Sequence, residues 1–126
     1  MRFIPTRVHG MLDYLTAGVL IAAPSLLGFR KGGAQTWLPV ALGVGTIAYS
    51  LLTDYELGLV KVIPMPVHLA LDAANGALLS ASPWLFGFAE DVSTPHLGLG
   101  LFEMGAAAFS QTAPSRATGS DAHPSV

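Results

Sequence analysis

The sequence predicts an all-α integral membrane four-helix bundle, built from two helical hairpins related as parallel repeats. Three observations point there: a charge-poor composition, four apolar stretches of near-spanning length, and a self-match of the chain at a fixed offset. Hydrophobic residues make up 52% of the 126 and charged residues 11%, against about a quarter charged in a typical soluble domain. Mean hydropathy is +0.55. Six Lys/Arg and eight Asp/Glu are too few to solvate a soluble domain of this size, and most fall between the apolar stretches. With no cysteine, disulfides and thiol chemistry are excluded. No Lys/Arg-rich run offers a footprint for nucleic acid. The expected partner is the lipid bilayer, with self-association or a larger membrane complex as a further expectation.

A hydrocarbon core about 30 Å thick needs about 20 mainly apolar residues at about 1.5 Å each. The first stretch runs roughly from Val8 to Phe29. Arg2 and Arg7 precede it as in a signal peptide, but no clear cleavage site follows and a related segment recurs mid-chain, so it reads as a retained helix. The second stretch runs from Trp37 to Thr53, the third from Val67 to Phe88 and the fourth from Pro95 to Thr112. Helices are preferred to strands because lipid leaves every backbone polar group to be satisfied internally, and no alternating barrel pattern is present. Small-residue runs such as Gly43-Val44-Gly45-Thr46 and Gly105-Ala106-Ala107-Ala108 suit close helix approach. Separators are turn-like or charged: Arg30-Lys31-Gly32-Gly33, Asp54 to Pro66, and Ala89-Glu90-Asp91. Within the middle one, the acidic Asp54-Tyr55-Glu56 reads as a solvated loop. Arg2, Arg7, Lys61 and Arg116 share one side against Arg30 and Lys31 on the other, a bias from which both termini are expected in the cytoplasm. Residues 1–112 form the helical domain; the Pro/Ser/Thr/Gly-rich 113–126 reads as a disordered tail.

An offset of 59 residues aligns Ile4-Pro5 with Ile63-Pro64, Val8-His9 with Val67-His68, Leu12-Asp13 with Leu71-Asp72, and Pro24 with Pro83. The match ends on Gly28-Phe29 with Gly87-Phe88, giving twelve identities in 26 ungapped positions. The repeats span about 4–53 and 63–112. Since a two-span unit returns the chain to its starting side, the copies are expected to be related by a pseudo-two-fold axis along the membrane normal. Asp72-Ala-Ala-Asn75-Gly76 followed by Ser82-Pro83-Trp84-Leu85-Phe86-Gly87-Phe88 resembles the signature of the SPW-repeat family of bacterial integral membrane proteins. The first copy departs from it, with Ala23-Pro24-Ser25 in place of Ser-Pro-Trp. The resemblance implies a small four-helix membrane protein and brings no catalytic residues or substrate.

Pro24 and Pro83 are expected to kink or end their helices, with Gly28 and Gly87 at the C-termini and Phe29, Trp84 and Phe88 in the interfacial aromatic belt. His9 and Asp13, like His68 and Asp72, are four apart and share a helix face. Asn75 extends that face in the second copy, and Glu103 is the most buried-looking acid. Ionisable residues in a span are costly and so are candidates for function. Three readings of the His/Asp pairs stand open. They fix helix packing, or they relay protons or ions, or they bind a shared divalent metal or a haem. The packing reading is preferred because this spacing is common without a metal, so no cofactor is expected. For Glu103 the expectation is a packing role, protonated or hydrogen-bonded with Thr46 or Ser50 as donors, the alternative being that it completes the polar site. No nucleophile motif, phosphate loop or zinc-protease pattern occurs. The expected class is therefore a non-enzymatic structural or accessory membrane protein. The alternatives are an oligomeric proton or ion translocator, or a metal- or haem-binding protein.

Overall fold

The computed structural model describes residues 2–28 and 32–113. Phe29, Arg30, Lys31, Arg116 and the tail from 114 onward lie outside the described residues, and so do the expectations that rest on them. The chain is all-helical: α1 (Thr6–Leu26), α2 (Ala34–Leu51), α3 (Met65–Leu85) and α4 (Thr94–Phe109). Among the described residues there is no strand; two isolated bridges pair Ile4 with Ser110 and Thr53 with Ile63.

Proline opens the two histidine-bearing helices. Pro5 and Pro64 stand at their N-caps with φ near −62°, a value the ring fixes at a place where the helix has no acceptor for an N–H. The His9 and His68 amides then donate to Pro5 and Pro64 carbonyls at 2.9 and 3.0 Å. Each histidine is thereby fixed one turn inside its helix.

Proline also closes them. Pro24 and Pro83 lie inside α1 and α3, and each helix stops two residues later. Gly28 and Gly87 follow with φ of 78° and 76°, the left-handed conformation that ends helices at low cost only for glycine. In α3 the Phe88 amide reaches back to the Pro83 carbonyl at 2.8 Å, the long bond of a Schellman cap. Pro83 lacks the N–H that would have met the Leu79 carbonyl. Ser82 Oγ donates there instead, at 2.7 Å, and is fully buried. The serine of Ser-Pro-Trp thus repairs the bond its proline removes.

Packing is closest within each hairpin, α1 on α2 and α3 on α4, while α2 meets α3 and α1 meets α4 more lightly. Glycines set the close approaches. A Cβ on Gly43 would stand 2.8 Å from the Ala17 carbonyl, and one on Gly76 would stand 2.6 Å from the Gly100 carbonyl. Gly45 and Gly105, in the small-residue runs, have nothing within 4 Å.

The interior is polar and the exterior apolar. Among the described residues, fifteen polar or charged side chains are buried against eleven hydrophobic ones, while Leu15, Val44 and Leu101 are each more than half exposed. No helix among the described residues is long and apolar enough to cross a membrane. Helices α1 and α3 carry His and Asp among their buried residues, and α4 has only 16 residues.

Two expectations about aromatic residues are corrected. Phe88 is buried, at 8% exposure, its ring 4.8 Å from His96, because the Schellman turn swings it inward; Trp84 is 59% exposed. The Asp54-Tyr55-Glu56 segment is not a solvated loop. Tyr55 is 1% exposed, because the 52–64 connection folds back over the bundle end, with Asp54 N donating to Ile63 O at 2.8 Å and Leu59 N to Leu51 O at 2.7 Å.

Candidate functional site

The two His/Asp pairs meet at the centre of the bundle, near the end that holds the N-termini of α1 and α3. All four residues are at most 6% exposed. The His9 and His68 ring centroids stand 5.4 Å apart, edge to face. The pairs cross between hairpins: His9 Nε2 is 2.6 Å from Asp72 Oδ2 and 3.0 Å from Asp13 Oδ1. His68 Nε2 is 2.8 Å from Asp13 Oδ2 and 3.1 Å from Asp72 Oδ2. Each imidazole is therefore nearer the carboxylate of the other hairpin than its own, and the four groups form one quartet.

The outer ring nitrogens have hydroxyl partners. His9 Nδ1 lies 2.6 Å from Ser110 Oγ, and His68 Nδ1 lies 2.7 Å from Thr53 Oγ1. Each hydroxyl gives its own proton to a carbonyl one turn back, Ser110 to Ala106 at 2.6 Å and Thr53 to Tyr49 at 2.7 Å. The hydroxyls are left as acceptors, so both Nδ1 atoms carry hydrogen and donate. Each Nε2 faces carboxylate oxygens, which only accept, so it donates as well and both imidazoles stand as cations against the two aspartates. Again the support crosses over, each hairpin's second helix holding the other hairpin's histidine.

The carboxylates have phenol donors. Tyr55 donates to Asp13 Oδ2 at 2.7 Å and Tyr49 donates to Asp72 Oδ1. Burial, and then the Asp13 carboxylate, push the Tyr55 phenol well above its ordinary value of 10.0, so it stays a donor. Asn75 Nδ2 donates to Thr46 Oγ1 and Tyr49 Oη, each at 3.2 Å, and so positions the tyrosine on Asp72. Thr6 donates to Glu56 Oε1 at 2.7 Å and Tyr14 to the Leu57 carbonyl at 2.9 Å, which pins the covering loop to α1.

Glu103 is 6% exposed and its Oε2 has no hydrogen-bond partner among the described residues. Neither Thr46 nor Ser50 supplies the bond expected there, since Thr46 Oγ1 donates to the Leu42 carbonyl at 2.8 Å. Glu103 lines a cavity of about 10 Å³ with His9, Asp13, Asp72 and Thr46, room for about one water.

The sequence shows two separate pairs and leaves one shared site open among three readings; the crossed pairing between hairpins is what it does not show. Ser110, Thr53, Tyr49 and Tyr55 went unread as partners. The fold alone reveals Ser110 and Thr53, which stand just past the ends of α4 and α2, bridged to the repeated Ile4 and Ile63.

A family model described as the SPW repeat domain matches residues 7–110. No curated protein and no solved structure matches the chain.

Proposed function

The chain belongs to the SPW-repeat family, and from that premise we propose that it is a small multi-pass membrane protein of structural or accessory type. In this reading the His/Asp quartet clamps the two hairpins together. The observation that carries it is the crossed pairing, in which each histidine lies nearer the aspartate of the other hairpin. Removing one partner of a buried ion pair costs about 3–5 kcal/mol because it strands the other charge, so the quartet penalises any arrangement of the hairpins in which its four groups do not meet. Membrane embedding is supported by the distribution of polarity. Lipid favours an apolar exterior and lets polar side chains serve as interhelical glue. The 21-residue α1 and α3 extend about 31 Å, near the thickness of a hydrocarbon core.

Alkaline carbonate extraction of membranes from expressing cells tests the reading. The chain is expected in the pellet, with reporters fused after Gly33 and Asp91 outside and those after Leu57 and Thr118 inside. Release into the supernatant, or reporters that fail to alternate, would overturn it.

A further inference from the structure

We propose that His9, Asp13, His68 and Asp72 are the ligands of a divalent transition-metal site of zinc type. The inference is independent of the membrane reading, because it rests only on the quartet's geometry. One ligand atom from each of the four residues can be chosen so that all lie within 4.8 Å of one another, and all four residues are buried. In a tetrahedral site with metal–nitrogen and metal–oxygen bonds of about 2.0–2.1 Å, ligand atoms stand roughly 3.3 Å apart. The Nε2-to-carboxylate separations run from 2.6 to 3.1 Å, a few tenths of an ångström short of that, and no pair of the four ligand atoms is more than 4.8 Å apart.

The surroundings also suit a metal centre. Both Nδ1–H groups are held by hydroxyls whose protons are committed elsewhere, the arrangement that orients a ligating imidazole with its Nε2 lone pair inward. Two Nε2 atoms and two carboxylates meet at hydrogen-bond distance, and a divalent ion would take the place of the two Nε2 protons with the charge unchanged. Tyr55 and Tyr49 donate to the carboxylates, as outer partners of ligating carboxylates do.

A second observation points to the same place. Glu103 presents an unpartnered, buried Oε2 at the cavity it shares with His9, Asp13 and Asp72. A water in that cavity would stand between the ion and Glu103, which would accept its hydrogen bond. Imidazole with carboxylate suits zinc and its neighbours over calcium or magnesium, which take oxygen ligands alone.

The test is titration of the full chain, purified in mild detergent and stripped with chelator, with Co2+ as spectroscopic probe and Zn2+ as competitor. One Co2+ per chain is expected, with the intense visible bands of four-coordinate cobalt, lost on adding Zn2+. His9→Ala and His68→Ala should abolish those bands. Ser110→Ala and Thr53→Val keep all four ligands and, with helical content checked by circular dichroism, should weaken binding about 10–100-fold. The proposal is overturned if the wild type gives no four-coordinate spectrum, or if Ser110→Ala and Thr53→Val bind Co2+ as tightly as the wild type does.

Discussion

Ser82 shows how much one side chain carries in this protein. Its hydroxyl satisfies the Leu79 carbonyl that Pro83 leaves without a donor, and a buried acceptor left unsatisfied costs about 1–3 kcal/mol. Ser82→Ala should lower stability by that amount in denaturant titration, whereas Ala23→Ser at the equivalent place in α1 should cost little. Tyr55 gives a second prediction. Hydrogen bonds to charged groups contribute about 1.5–3 kcal/mol and neutral ones about 0.5–1.5. Tyr55→Phe, which strips a donor from Asp13, should therefore destabilise more than Tyr14→Phe, which frees only the Leu57 carbonyl. The Tyr55 phenol is raised in the folded state, so its contribution is fully present below the ordinary value of 10.0 and falls as pH rises above it. In Tyr55→Phe that part of the alkaline loss of stability should vanish. At this scale the sequence exposed His9, Asp13, His68 and Asp72 through their i, i+4 spacing. It concealed which histidine meets which aspartate, because spacing reports one helix at a time and the pairing crosses between two.

Among the helices, the close approaches depend on individual glycines and not on whole small-residue runs. A Cβ on Gly100 would stand 2.5 Å from the Gly76 carbonyl, while one on Gly105 meets nothing within 4 Å. Gly100→Ala should cost about 1–3 kcal/mol through overpacking. Gly105→Ala should stabilise by about 0.4–1 kcal/mol, because alanine loses less backbone entropy in a helix interior. Thermal melts of the two variants in detergent check both signs. The repeat is also read more finely from the structure. Histidines and prolines keep the 59-residue offset, but the bridge partners Thr53 and Ser110, and the close-packed Gly43 and Gly100, are 57 apart. On that register the counterpart of Glu103 is Thr46, which lines the same cavity. The sequence could not show this, since α2 and α4 retain too few identities to fix their register. The ends of α1 and α3 were legible, because proline followed by glycine specifies a terminus by local chemistry alone.

For the molecule as a whole, the four helices and their two-hairpin plan were legible from hydropathy and repetition. Polarity within each helix was harder to read. Averaging over a helix mixes an apolar outer stripe, with Leu15, Val44 and Leu101, and an inner one carrying His9, Asp13, His68, Asp72 and Glu103. Distances across the bundle separate the two, and they place the charged joint between hairpins whose direct helix contacts are otherwise light. A double-mutant cycle on His9→Ala and Asp72→Ala, followed by unfolding in detergent with metal chelated, tests that joint most directly. These residues belong to different hairpins and stand 2.6 Å apart, so a coupling energy above about 1 kcal/mol is predicted, within the 0.5–3 kcal/mol typical of contacting residues. Additive effects of the two changes, with coupling confined to His9 and Asp13 of the same helix, would contradict the account.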